Sequence, residues 1–244
     1  MRALKFTLSG KTAFFKKPDV NTYLYFTYGQ VHKVALLGII GAVTGLKGYG
    51  QQTAEDVFPE FYNRLHNLKV AIRPESEKGY FSKKVQTYNN SVGYASKEQG
   101  GNLIVKEQWL EFPKWTIFIL LDNHPDGQLI EHHFLTKQFM YYPYLGRNDH
   151  FATIADVEII DVVKATDINQ VDTLFKKSPT IHVMSEIDSF DDSNDWKYEE
   201  FLPTALHEET NLYVMEACIF TNMSIETTDK ENFYRYEDQT LYFI

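Results

Sequence analysis

Cysteine is almost absent from this chain. Cys218 is the only one in 244 residues, which excludes an intramolecular disulfide and a cysteine-based zinc cluster and fits a reducing cytoplasm. Cys218 reads as an inert core thiol. Long apolar runs are also missing: the longest, Val34 to Leu46, covers 13 residues, short of the roughly 20 that a membrane-spanning helix needs. No membrane partner is expected, and that run reads as a buried helix. The N-terminus, Met1 to Phe6, alternates instead of forming the apolar block of a signal peptide, so export is not expected. The chain has no internal repeat and no low-complexity linker.

The common catalytic and metal signatures are absent too. The glycines near Gly41 form neither a Walker loop nor a dinucleotide fingerprint. His207-Glu208-Glu209 begins like a zincin helix, but Asn211 stands where the second histidine is required. An EF-hand opening at Asp191, with Asp195 as a ligand, fails because Trp196 occupies the glycine position and Leu202 that of the bidentate glutamate. Asp122, His124 and Asp126 bracket a turn, and His132 and His133 diverge by about 100° on a helix. Neither a metal nor a cofactor is expected.

What is present is a segregation of charge. The overall balance is 24 basic against 33 acidic residues, a net of -9. From Met1 to Phe118 there are 16 Lys plus Arg and 9 Asp plus Glu, a net of +7; the remainder holds 24 − 16 = 8 basic and 33 − 9 = 24 acidic residues, a net of -16. The first part can attract phosphate, while the second repels it. An apolar content of 43% is ample for a packed core, and 16 Tyr with 18 Phe favour strands and stacking surfaces.

Periodicity gives the elements. Leu4, Phe6 and Leu8 point one way and Lys5, Thr7 and Ser9 the other, predicting a strand that leaves Lys5 on an open sheet face. Val34 to Leu46 carries Gly38, Gly41 and Gly45, a stripe without side chains that permits close approach to a sheet or partner. Asp56 to Leu68 reads as an amphipathic helix, with Val57, Phe61 and Leu65 on one face and a start at Thr53. Residues 69 to 73 read as a strand, and Arg73 to Lys106 as a protruding hairpin or long loop rich in lysine and tyrosine, with a turn at Gly100-Gly101. Residues 115 to 121 form a core strand, Leu129 to Phe139 a helix and Ala155 to Val163 a strand. That succession is the ferredoxin-like order in an α+β protein. From Ala165 onward short strand-like runs surround the acidic stretch Asp188 to Glu200, predicting a β-rich C-terminal subdomain over 165–244 after a first domain over 1–164.

Phe14-Phe15-Lys16-Lys17-Pro18 is a loop in which lysine can neutralise phosphate and phenylalanine can stack on an unpaired base. With Phe6 to Gly10 before it, Thr27-Tyr28 and Leu36 to Leu46 after it, then Glu107-Gln108-Trp109-Leu110 and Tyr142 to Asp149, the chain resembles the CRISPR-associated (Cas) proteins of family five, most of all their type I-B branch. That family caps the 5′ handle of the guide RNA in type I Cascade. The resemblance covers residues 1 to 163 and thins beyond them.

The resemblance implies a modified ferredoxin-like (RRM-like, RAMP) fold with a thumb-like insertion at about 74–106. It implies assembly with crRNA and with backbone (family seven), large (family eight) and handle-processing (family six) subunits, target DNA being met only indirectly. The RNA-binding candidates are Lys16, Lys17 and Lys33 for phosphate, Phe15 and Tyr28 for stacking, and His32 for phosphate or a base edge, with Lys83 and Lys84 in the thumb. Gly146-Arg147 is either a tight turn with a surface arginine or an RNA contact. Two rivals remain: a metal-independent endoribonuclease using Tyr28, His32 and Lys33, and an acidic scaffold that binds only protein. A non-catalytic subunit is the expectation, with the acidic C-terminal part turned away from RNA toward a basic partner.

Overall fold

The computed structural model describes residues 1–19, 23–184 and 194–244. Part of the acidic stretch, including Asp191 and Asp192, therefore lies outside the described residues.

The alternation in the first nine residues produces β1 (Arg2–Ser9), followed by the short β2 (Thr12–Ala13). The apolar run becomes α1 (Lys33–Thr44), and the chain continues through α2 (Glu60–Leu65), β3 (Val70–Pro74), β4 (Lys83–Asn89), β5 (Ile104–Glu111), β6 (Lys114–Leu120), α3 (Gly127–Thr136) and β7 (Thr153–Asp161). β3, β6, β1 and β7 form an antiparallel sheet in that spatial order. Leu4, Phe6 and Leu8 face the helices, and Phe6 meets Phe134 of α3 with ring centroids 4.8 Å apart. Each such fully buried side chain contributes about 1.5–3 kcal/mol from burial.

α1 is apolar because α2, α3 and the sheet cover most of it, leaving Ala35, Gly38 and Ala42 along one side half-buried. Gly38 and Gly41 of its glycine stripe face α2, where a Cβ on Gly41 would lie 2.6 Å from the Phe61 Cβ, while Gly45 abuts Met140. α2 is shorter than the periodicity predicts. Pro59 stands at its start, and the α region is disfavoured for the residue before a proline. Val57 is consequently exposed, and Thr53 and Asp56 close a local turn through the Asp56 carboxylate. α3 begins and ends earlier than predicted, stopped by Lys137 in the left-handed region at φ 54.

β4 and β5 pair from Lys83↔Leu110 to Asn89↔Ile104, a hairpin whose second arm runs past Lys106 to join β2. The remaining elements are β8 (Val163–Lys164), β9 (Phe175–Lys176), β10 (Ile181–Val183), β11 (Lys197–Leu206), β12 (Tyr213–Thr221), β13 (Ile225–Thr227), β14 (Phe233–Tyr236) and β15 (Gln239–Tyr242). They form small antiparallel sheets: β11-β12-β9, β15-β14-β8 and β10-β13.

The sheet face expected to lie open is partly covered. Tyr234, Leu241 and Phe243 pack on Ala3, Phe118 and Leu120, and Lys5 lies under the Tyr236 ring with its ammonium 2.7 Å from Glu158. The C-terminal residues also close the β3 edge, where Ile244 and Val70 exchange backbone hydrogen bonds. Apolar alternation on the second face is weak because Lys5 and Thr7 interrupt it.

Candidate nucleic-acid interface

The lysine loop is held as a narrow ladder. Lys16 bridges Thr27, the Lys17 amide donates to the Phe26 carbonyl at 2.8 Å, and the Tyr28 amide donates to that of Phe15 at 2.8 Å. Tyr25 in turn bridges Glu107 of β5. Extended backbone sends successive side chains to opposite faces, so the two adjacent lysines part company. Lys16 lies 4.0 Å from the Tyr25 ring centroid, whereas Lys17 lies 5.1 Å from that of Tyr28 and 2.9 Å from Glu200 Oε1.

The same ladder pulls the aromatic candidates inward. Phe15 and Tyr28 are each 2% exposed. Phe15 sits between His32 and Trp115, and the Tyr28 hydroxyl points to the Met215 sulfur. Neither ring offers a face to a base, which corrects their stacking role. Burial raises the Tyr28 pKa far above the usual phenol range.

His32 is the N-cap of α1. Its Nδ1 accepts from the Ala35 amide at 3.2 Å, and Phe15, Tyr28 and Tyr213 ring it edge-on. Burial pushes its pKa down to about 3, so the imidazole is neutral near neutral pH and unsuited to phosphate. A cap made by histidine in place of Ser or Asp hides the signal that Ser, Thr, Asp or Asn would give.

Lys33 turns the other way. Its ammonium donates to the Ile244 carbonyl oxygen at 3.1 Å, and burial, with help from Lys176 and Lys69, lowers its pKa to about 8. Its phosphate role is corrected to a structural one, and Tyr28, His32 and Lys33 do not share a site.

Arg147 is likewise engaged. It makes a two-point contact with Asp149, at 2.7 and 2.6 Å, donates to Glu107 Oε1 at 2.6 Å and to the Tyr88 hydroxyl at 3.2 Å, and lies over Phe14. The Asp149 hydrogen bond raises the Arg147 pKa, and that of Asp149 falls to about 2. Gly146, at φ +89, lets the backbone pass so near Phe14 that a Cβ would lie 2.0 Å from the Phe14 carbonyl oxygen. Gly146 thus makes a tight turn, and Arg147 clamps that turn to the hairpin through Glu107 and Tyr88.

The hairpin lysines point to opposite faces as well. Lys84 pairs with Glu111 at 3.6 Å and lies over Trp109. Lys83 lines a small depression with Gly29, Tyr80 and Tyr198, where burial lowers its pKa and Glu200 and Lys17 are its charged neighbours. Glu200 is the hub there, accepting from the Gly29 amide at 2.9 Å and the Tyr198 hydroxyl at 2.5 Å as well as from Lys17.

Sequence reasoning passed over Tyr23, Tyr25 and Lys106. Lys106 lies 4.6 Å from the Tyr23 ring centroid, so two lysine-on-tyrosine pairs line the strip that runs along β5. The aromatic run from Tyr23 to Phe26 was the available signal. On the Lys16 side the surface opens into a groove of about 730 Å³ beside α1, bordered by Tyr49, Tyr141, Tyr144 and Tyr213. Among the described residues, no three His, Cys, Asp or Glu side chains converge to hold a metal ion, and no helix is long and apolar enough to cross a membrane.

No protein-family model and no curated protein matches the chain. Solved structures match it in fold. A chain of a CRISPR RNA-guided surveillance complex aligns at 12% identity over 93% of this chain and 91% of that one, with a TM-score of 0.56. A CRISPR protein from Archaeoglobus fulgidus aligns at 8% identity over 99% and 98%, with a TM-score of 0.51. The chain therefore has the mixed α+β fold of CRISPR-associated proteins.

Proposed function

We propose that this protein is a non-catalytic crRNA-binding subunit of a type I CRISPR Cascade complex that caps the 5′ handle of the guide RNA. The observation that carries the reading is the strip of lysine-on-tyrosine pairs, Lys16 on Tyr25 and Lys106 on Tyr23, along β5. Lysine supplies attraction to phosphate, and tyrosine a face for unpaired bases whatever their identity. Its setting in a fold shared with a CRISPR surveillance-complex chain supports the partner class.

On this reading the four-stranded sheet with its helices is a ferredoxin-like RAMP domain over 1–164, the β4–β5 hairpin is its thumb, and 165–244 is the β-rich elaboration. The family is the fifth, of type I-B, working in the cytoplasm beside family-seven backbone, family-eight large and family-six processing subunits, with target DNA met indirectly. The divergence of Lys33 from Tyr28 and His32 supports the non-catalytic role. The acidic C-terminal part turns toward a basic partner, apart from Glu200, which faces Lys17.

The test is salt-dependent binding of guide RNA, with and without its 5′ handle, to the co-expressed complex carrying the natural protein or Lys16→Ala/Lys106→Ala. Handle-dependent binding that weakens in the variant, with a salt slope shallower by about 1.5 and RNA intact on a gel, is expected. Binding indifferent to handle and lysines would sink the reading, and metal-free cleavage without a family-six protein would replace it with a nuclease.

A further inference from the structure

The groove beside α1 differs from the rest of this acidic molecule. Its floor is the α1 face bearing Ala35, Gly38 and Ala42, where short or absent side chains let a flat ring approach the helix backbone. Its rim carries Tyr49, Tyr141 and Tyr144, which are 49%, 56% and 43% exposed, with Lys16 at one side. Among the described residues that line it none is Asp or Glu, in a chain that contains 33 of them. Among those described residues Lys16 is the only Lys or Arg, and no described carboxylate forms an ion pair with it.

A volume of about 730 Å³ falls within the range of small-ligand sites, ~300–1,000 Å³. A smooth apolar floor, tyrosine rings and hydroxyls around it, and one uncompensated lysine at the side match an aromatic ring system that carries an anion. The ring lies on apolar surface, the hydroxyls meet polar edges, and the ammonium meets the charge.

We propose that this groove receives one unstacked nucleotide of the bound RNA, its base among Tyr49, Tyr141 and Tyr144 and its phosphate on Lys16. The proposal rests on the RNA-binding reading above and adds to it a defined place where a single base leaves the stack. A base already unpaired enters with little unstacking cost, whereas a duplex would have to be opened first.

The experiment uses the assembled complex and guide RNAs carrying thiouridine at one position at a time, irradiated and mapped by mass spectrometry. The expected result is cross-linking from one position, or two adjacent ones, to Tyr49, Tyr141 or Tyr144. Gly38→Leu fills the groove from a site where an added Cβ would meet only Phe61 Cε2, at 3.8 Å. It is expected to reduce that cross-link at least tenfold while assembly is kept, and Gly38→Ala to retain it. Cross-links confined to the Lys16–Lys106 strip, with Gly38→Leu harmless, would overturn the groove proposal and leave the RNA-binding reading standing. The absence of both handle-dependent binding and cross-links anywhere would remove the two together. A photoreactive residue at Tyr141 that captures a protein subunit instead of RNA would also overturn it.

Discussion

Glu200 Oε1 lies 2.9 Å from the Lys17 ammonium, a carboxylate of the acidic part seated on a lysine of the basic loop. The two charge-segregated parts of the chain thus neutralise each other at one point of the surface expected to meet RNA. Lys16, the adjacent residue, faces away and keeps its charge.

The two lysines are therefore expected to separate in binding assays. Lys16→Ala lowers the slope of log affinity against log salt by about 0.7–0.9, and Lys17→Ala lowers it by less. Glu200→Gln, which retains an amide oxygen for the Gly29 amide, raises affinity at low salt. Anisotropy titrations over a salt series check the order; equal effects of Lys16 and Lys17 would contradict it.

Lys33 is protonated near neutral pH at a cost. Its pKa is about 8 in the folded protein against about 10.4 in an unfolded chain. Between those values the unfolded state binds more protons, so stability rises with pH across that window and is lowest below it. Lys33→Met is expected to raise Tm at about pH 7, with a gain that shrinks as pH climbs through the window. RNA affinity should not change. Thermal melts at several pH values, with one binding curve, decide the matter.

His32 works in the opposite part of the pH scale. Its folded pKa of about 3 lies below the unfolded value of about 6.5. Its contribution to stability is therefore complete above that unfolded value and falls as pH drops toward about 3, by up to about 1.4 kcal/mol per pH unit. His32→Asn keeps an N-cap acceptor and is expected to flatten that part of the acid profile. His32→Ala, lacking the cap, loses about 1 kcal/mol at neutral pH. Urea titrations at a set of pH values measure both.

Arg147 holds Glu107, whose side chain is only 5% exposed. Removing the arginine leaves that carboxylate with the Tyr88 hydroxyl and Trp109 indole as its donors. Arg147→Ala is expected to cost roughly 2 kcal/mol, less than the loss at a fully buried pair because the guanidinium is partly solvated. Arg147→Ala/Glu107→Gln should recover part of it. Chemical denaturation of the two variants gives the answer, and a binding defect in Arg147→Ala without any loss of stability would point back to an RNA contact.

The elements that could be read from the sequence are those with strong periodicity. β1, α1, β3, β6 and β7 lie close to where alternation or an apolar run predicts them, because one-sided burial leaves a local record. α2 starts later than its periodicity predicts because Val57 fits the helical spacing, while the Phe58-Pro59 step overrides it. At the candidate interface Lys16 could be identified by type and position, whereas Phe15, Tyr28 and His32 could not be told from surface residues. A buried aromatic ring and an exposed one look alike in a loop without period.

The sequence by itself determined that the chain has no disulfide, that its basic residues precede its acidic ones, and that strands and helices alternate around an apolar α1. Only the tertiary structure decided which charges remain open. Lys17 meets Glu200, Lys33 meets Ile244 and Arg147 meets Glu107 across long stretches of chain. Periodicity reports how each segment buries itself, and chain closure over long separations sets which side chains then meet.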